Sequence, residues 1–184
     1  MPSIAIKPAG ILRRFAASTR GVAAIEFAMI MPVLSVMFLA SFDGGRALAV
    51  YMKVRAATYA LDAIANQYTT IHDTDMQAIL GASSAILAPY SSAPIVVTIS
   101  EISISNKGAA TVSWSDSLNG TTRAVGSAVT VPTALNVNST YLIFGEVSYK
   151  YTPLFGFFGS GGITFSDNLY VTPRSSSSIS RISP

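Results

Sequence analysis

The sequence predicts an α+β fold. A long N-terminal, membrane-spanning helix continues into an exported domain with a second short helix and an antiparallel β-sheet. Residues 21–42 form an apolar segment of about twenty residues, long enough as a helix to cross a ~30 Å hydrocarbon core. Residues 43–68 repeat apolar side chains at spacings of three and four, which indicates one buried helix face. From Ile95 onward, the apolar period changes to two, as in strands.

Charge sets the predicted orientation in the membrane. Lys7, Arg13, Arg14 and Arg20 precede the apolar segment, and residues 1–21 contain no acidic side chain. By the positive-inside rule this leader stays cytoplasmic and the chain beyond the apolar segment is exported. Lysine and arginine total 12, and aspartate and glutamate total 9. Because four basic residues lie in the leader, the remainder is near neutral, and the net charge does not indicate nucleic-acid binding.

One carboxylate interrupts the apolar segment. A charge at the centre of a bilayer costs roughly 2.5 to 3.5 kcal/mol, so Glu26 suggests a functional role. The pattern Gly21-x-x-x-x-Glu26, after Arg20 and at the start of an apolar run, resembles the type IV prepilin signature, in which a prepilin peptidase cuts after the glycine. This resemblance implies that residues 1–21 are a leader that is removed. Val22 then becomes the mature N-terminus.

Two other kinds of N-terminal segment also combine a basic leader with an apolar run. In an uncleaved signal anchor, Gly21 would be incidental and the Glu26 carboxylate would reach the headgroups. A secretory signal peptide needs a purely apolar core and an A-x-A-like cleavage site, so Glu26, Pro32 and the length of the segment argue against it. Glycine before the cut also suits a protease at the membrane surface, because it has no Cβ to obstruct approach.

Two residues of the segment have specific predicted roles. In packed pilin-like helices, Glu26 can pair with the Val22 amine of its own or a neighbouring subunit, where low dielectric strengthens the attraction. Pro32 removes one backbone hydrogen bond, so the helix is expected to bend or loosen there. A tolerated kink and a functional hinge are both open.

Beyond the apolar segment the helix is predicted to continue as an amphipathic extension over residues 43–68. Core packing against the chain's own sheet is favoured over an intermolecular seam for its apolar stripe. The stripe comprises Ala47, Val50, Val54, Ala57, Leu61, Ile64 and Tyr68. The polar residues placed off the stripe are Arg46, Lys53, Arg55, Asp62 and Gln67.

The runs 20–32 and 42–47, followed by an alanine-rich helix, resemble the N-terminal region of TadE-like pseudopilins of tight-adherence (Flp/Tad) pilus systems. The resemblance covers residues 13–66, and residues 147–155 resemble a further family segment less specifically. It implies a protein of the bacterial inner membrane that crosses once, with its N-terminus cytoplasmic and its domain periplasmic, and that either stays there or enters a surface pilus. The implied partners are a prepilin peptidase, other pilins and minor pilins, the inner-membrane assembly platform and membrane lipid.

A second helix is predicted to begin near His72. Thr74 and Gln77 have the spacing of a capping box, apolar residues follow, and Pro89 ends the pattern. His72 lies beside two aspartates, but it is the only histidine and cysteine is absent. A solvated cluster at the helix start is therefore favoured over a metal site, and no metal or cofactor is predicted.

The rest of the exported domain, residues 69–173, is predicted to be mainly strands, with one sheet face on the long helix and the other wet. Strands are predicted at 95–99, 102–104, 111–114, 128–131, 141–151 and 163–171. Trp114, Tyr149 and Tyr151 could form a binding platform, although cross-strand packing is favoured. The apolar, glycine-rich loop 153–162 suggests a partner or the membrane surface. The serine-rich tail, residues 174–184, is predicted to be disordered.

No catalytic motif is found, so a structural role is favoured over an enzymatic one. The leading hypothesis is a minor pilin, processed by a prepilin peptidase and required for assembly of a Tad/Flp-type adhesive pilus. The alternative is an uncleaved, single-pass periplasmic sensor or ligand-binding protein. The size of the mature protein distinguishes the two.

Overall fold

A computed structural model describes residues 21–156 and 161–182. Two helices and six strands follow one another along the described chain, with a short 3-10 helix before the fourth strand. They are α1 (Val22–Ala65), β1 (Thr70–His72), α2 (Asp73–Leu87), β2 (Ile95–Ile104), β3 (Ala110–Leu118), the 3-10 helix (Thr133–Leu135), β4 (Thr140–Tyr151), β5 (Ile163–Val171) and β6 (Ser180–Ile182). The α+β prediction is confirmed.

The chain divides into two compact units between Phe42 and Asp43, and α1 contributes residues to both. In the first unit, α1 is apolar and exposed, and its most apolar stretch has no part buried inside the protein. It is the one helix in the described chain that is long and apolar enough to cross a membrane. The long helix was predicted correctly, although it ends at Ala65 rather than Tyr68.

The second unit is built on a four-stranded antiparallel sheet of order β3-β2-β4-β5. β2 pairs with β4 over its whole length, from Ile95 opposite Tyr149 to Ile104 opposite Thr140. The two separate strands predicted at 95–99 and 102–104 are thus one continuous strand. A register shift between Glu101 and Ile102 in the pairing with β3 marks a local irregularity of that edge.

Residues 43–65 of α1 belong to the same core as this sheet. Val50, Val54, Ala57 and Leu61 are buried, and the other predicted stripe residues, Ala47, Ile64 and Tyr68, pack against them in part. The side chains of Ile95, Val97 and Ile99 alternate along β2 toward this cluster, as period-two burial requires. The core-packing interpretation of the stripe is confirmed.

The predicted start of α2 near His72 is confirmed, but the predicted capping pair needs correction. The helix begins at Asp73 with His72 at its N-cap position, and the backbone N–H of His72 donates to the Asp75 carboxylate at 3.0 Å. The predicted capping pair of Thr74 and Gln77 is wrong. Capping depends on which residue is extended, and β1 holds His72 in that conformation.

The second sheet face is not wholly wet, contrary to the prediction. A smaller apolar cluster lies there, formed by Ile102, Ile104, Ala110, Val112, Val131, Leu142 and Phe144. Val131 comes from the predicted strand 128–131, which is instead a single bridge of Ala128 to Thr111. Gly126, in left-handed conformation (φ +80°), and Pro132, which lacks an N–H, bound this stretch and leave it too short for a ladder.

The disordered tail was a wrong prediction for residues 174–182. β6 pairs in parallel with β1, and Ile179 is 1% exposed in the main core. The Arg181 guanidinium bonds to the carboxylates of Asp116 and Asp73 at 2.9 and 2.5 Å. A few well-placed side chains thus outweigh the polar composition, which alone suggested disorder. Residues 183 and 184 lie outside the described chain.

Candidate functional site

The predicted cleavage junction lies at the very start of α1. Gly21 immediately precedes Val22, the first residue of the helix, and a Cβ built on Gly21 would meet no atom within 4 Å. Both residues are exposed. A protease could therefore reach this peptide bond from several directions. The predicted leader charges, Arg13, Arg14 and Arg20, lie outside the described residues.

Glu26 lies one helical turn beyond Val22, on the same side of α1, because residues four apart are neighbours on a helix surface. Its side chain is exposed, as are those of the flanking Ile25 and Phe27. Within residues 21–42 it is the one charged residue of the sequence. The arrangement therefore presents a single carboxylate on an otherwise apolar helix surface.

Pro32 lies inside α1, and the helix continues through it to Ala65. Because proline has no N–H, the carbonyl of Ala28 loses its usual helical donor. The predicted loosening thus concerns one hydrogen bond within an otherwise continuous helix.

Asp43 is fully buried where the second unit begins, and no sequence pattern predicts its contacts. Its carboxylate accepts hydrogen bonds from the backbone N–H groups of Leu154 and Phe155, both at 3.1 Å. The hydroxyl of Tyr151 donates to the Asp43 carbonyl oxygen at 3.4 Å. These contacts hold the segment that follows β4 against α1. The partners lie more than 100 residues apart in sequence, so no local pattern reveals these contacts.

Asp62 was placed off the buried stripe by the sequence analysis, and that placement is wrong. Its side chain is fully buried, and neither carboxylate oxygen has a hydrogen-bond partner among the described residues. Burial, and then the nearby charge of Asp167, raise the pKa of Asp62 to about 8. In the folded protein this carboxyl group is therefore mostly protonated, and neutral, below that pH.

Glycine at position 145 makes the burial of Asp62 possible. Gly145 lies in the middle of β4, and a Cβ there would overlap the Asp62 carboxylate. A glycine inside a strand commonly marks such a close approach, which is the one sequence signal for this contact. The buried side-chain oxygen of Asn66, the residue after the end of α1, likewise has no partner among the described residues.

The three aromatic residues considered as a binding platform are core residues. Trp114, Tyr149 and Tyr151 are all buried with the long helix. The polar side-chain atom of each one forms a hydrogen bond within the protein. The Trp114 indole N–H, for example, donates to the Ile179 carbonyl oxygen at 2.8 Å. The favoured packing interpretation is confirmed for them.

The opposite sheet face carries a polar groove of about 480 Å³. The Arg123 guanidinium crosses it and binds both carboxylate oxygens of Glu146, at 2.8 and 2.9 Å. Thr98, Ser148 and Asn168 also line it. Among the described residues no group of three or more histidine, cysteine, aspartate or glutamate side chains could hold a metal ion, and His72 lies exposed at the start of α2.

Comparison with known proteins locates the family signal in α1. A family model described as TadE-like protein matches residues 21–60, from Gly21 to Ala60. No curated protein and no solved structure matches the chain. The match covers most of α1, including Glu26, Pro32 and Asp43, and none of the sheet. Over this segment the chain is similar to TadE-like proteins, which supports a relation to the Tad pilus system.

Proposed function

We propose that the chain is a minor pilin, or pseudopilin, that a prepilin peptidase cuts after Gly21 and that is required to assemble a Tad/Flp-type adhesive pilus. The observation that carries the proposal is the junction itself. An open glycine precedes the first residue of an exposed apolar helix, and the TadE-like match begins at this glycine. The role is structural rather than enzymatic.

The chemistry follows from the cut. Hydrolysis after Gly21 gives Val22 a free, positively charged amine at a helix N-terminus. Glu26, four residues on, can pair with that amine or with the amine of a neighbouring subunit. In apolar surroundings the attraction is much stronger than in water, and pairing also removes the cost of an isolated charge. Glu26 thereby favours packing of one subunit beside another.

The proposed location is the bacterial inner membrane. Residues 22–42 cross it once, the leader is cytoplasmic and the domain is periplasmic, and the subunit stays there or enters a surface pilus. Membrane lipid surrounds the apolar segment before assembly. Other pilins and minor pilins and the inner-membrane assembly platform contact it afterwards, and the prepilin peptidase acts before them.

Intact-mass analysis tests the processing step. The chain is produced with and without the Tad-system prepilin peptidase, and we expect Val22 as the N-terminus only when the peptidase is present. Gly21→Leu should block the cut, because a large side chain then stands at the junction, whereas Gly21→Ala should be partly tolerated. Gly45→Leu is the matched control, since Gly45 is also an open glycine of α1 and its replacement should leave processing intact.

The same measurement separates the alternative function. The polar groove beside Arg123 would suit a small polar ligand of a periplasmic sensor, and such a protein would keep its leader. A full-length chain whose mass does not change when the peptidase is present would overturn the pilin proposal and favour the sensor.

A further inference from the structure

The short segment after β4, residues 153–156, is fixed to Asp43, the first residue of the second unit. Its backbone N–H groups at Leu154 and Phe155 both donate to the carboxylate of Asp43. Tyr151, at the end of β4, donates to the Asp43 carbonyl oxygen. Since Asp43 is fully buried, these bonds are shielded from water, which strengthens them. The segment is thus held in place rather than trailing in solvent.

The position of Asp43 in the chain indicates where the attached loop lies relative to the membrane. Asp43 directly follows Phe42, where the apolar segment of residues 22–42 ends, and consecutive Cα atoms are only about 3.8 Å apart. If residues 22–42 cross the bilayer, Asp43 lies where the chain enters the headgroup region. Residues bonded to Asp43 then lie at that same depth.

The segment presents apolar side chains at this place. Leu154 is 62% exposed and Phe155 is 44% exposed. One exposed apolar side chain would need no explanation, but two adjacent ones on a backbone fixed by a buried carboxylate form a directed surface. Exposed apolar surface held at a fixed place is a common mark of a membrane or protein contact.

We propose that residues 153–156 form a second membrane contact, with Leu154 and Phe155 inserted into the interfacial region of the bilayer that α1 crosses. Lipid is the occupant because the surface is fixed to the residue at which the chain leaves the membrane. Asp43 is a positioning residue that holds the loop at this depth. The inference rests on the membrane anchoring proposed above.

Depth-dependent quenching tests the proposal on the full chain. The sequence contains no cysteine, so the single variants L154C, V36C and V125C each carry one environment-sensitive fluorophore. The labelled proteins are placed in phosphatidylcholine–phosphatidylglycerol vesicles, with and without doxyl-labelled lipid. V36C reports the apolar segment, and V125C is the matched control, because Val125 is an exposed apolar residue in the connection between β3 and β4.

We expect strong quenching at V36C, at least twofold more quenching at L154C than at V125C, and little at V125C. Quenching at V36C with L154C no different from V125C would overturn the loop contact and leave the anchoring intact. No quenching at V36C would overturn the anchoring and the loop contact together. A blue-shifted L154C emission without doxyl quenching would indicate a protein neighbour and overturn the assignment to lipid.

A second variant tests the positioning role. Asp43→Ala removes the two carboxylate oxygens that accept from the Leu154 and Phe155 N–H groups, so the L154C label should lose most of its quenching in this background while the V36C label keeps its own. Unchanged quenching of L154C in the Asp43→Ala background would overturn the role of Asp43. Circular dichroism confirms that the helices and strands are retained in each variant.

Discussion

The carboxylate of Asp62 on α1 lies directly against Gly145 on β4, so closely that any side chain at position 145 would overlap it. We therefore expect Gly145→Ala to destabilise the fold by about 1 to 3 kcal/mol, since α1 or the carboxylate must move away from the sheet. Chemical denaturation of the full chain in detergent measures this. Gly81→Ala is the control, because a Cβ at Gly81 on α2 meets nothing within 4 Å. It should be neutral or stabilising by up to ~1 kcal/mol, and equal losses in both variants would contradict the contact.

The second prediction concerns pH. Burial raises the pKa of Asp62 in the folded protein to about 8, from 3.8 for the free group. Folding therefore favours the protonated form: its stabilising effect is complete below about pH 4 and is lost as pH rises through about 8. Denaturation midpoints of wild-type protein and Asp62→Asn, measured from pH 4 to 9, should show a smaller fall with pH in the variant.

Neighbouring groups supply the controls for this titration. Asp167 also raises the pKa of Asp62 by its charge, so Asp167→Asn should move the Asp62 transition to lower pH. Burial raises the pKa of Glu101 too, so part of the pH dependence should persist in Asp62→Asn. Identical pH profiles for wild-type protein and Asp62→Asn would show that Asp62 is not protonated on folding.

The third prediction concerns residues 174–182, which contain the buried Ile179 and the exposed Ile182. Ile179 is 1% exposed, and its backbone N–H donates to the buried Glu101 carboxylate at 2.6 Å. Ile179→Ala should cost about 2 to 5 kcal/mol of unfolding free energy, as other large-to-small core changes do. Ile182→Ala is the matched control, because Ile182 is 49% exposed, and its effect should stay within about 0.5 kcal/mol. Similar small effects of both would mean that the segment is not part of the core.

The fourth prediction separates processing from assembly. Glu26→Ala and Glu26→Gln should be inserted and cleaved like the wild type, because the peptidase is expected to act on the leader and Gly21. Recovery of pili and co-purification with other pilins should fall, since the partner of the Val22 amine is lost. Gel shift reports cleavage, and pilus yield reports assembly. Normal piliation would refute the pairing, and failed cleavage would assign Glu26 to the recognition signal.

Much of the fold was predictable because the side chains that helices and strands bury recur at regular spacings, and apolar residues occupy those positions in the sequence. The stripe from Ala47 to Tyr68 is buried as expected, and the alternation along residues 95–104 and 141–151 predicted the central strands. The predicted site residues Gly21, Val22 and Glu26 lie at the start of α1, and Pro32 lies inside it. Their assembly role depends on other molecules, so neither periodicity nor the fold of one chain tests it.

The rest escaped prediction because it depends on pairs distant in sequence. Aspartate is usually a surface residue. Asp62 can be buried because Gly145, on another element, has no side chain to overlap it. A charged residue at the end of an apolar segment, such as Asp43, is expected to face the membrane interface. Its carboxylate instead accepts hydrogen bonds from the backbone N–H groups of residues 154 and 155. Residues 174–182 are rich in serine, which suggests disorder. The order of this segment depends on Ile179 and Arg181, whose partners lie on β2, β3 and α2.

The pairing of β6 with β1 has a consequence for how the protein is made. Trp114 and Glu101 of the main sheet complete their hydrogen bonds only with Ile179, and Arg181 joins Asp73 to Asp116. The contacts that Ile179 and Arg181 make can therefore form only after these two residues have been synthesised. In a domain exported from its N-terminal side, Asp73, Glu101, Trp114 and Asp116 would wait for these partners until residues 179–182 had also crossed the membrane.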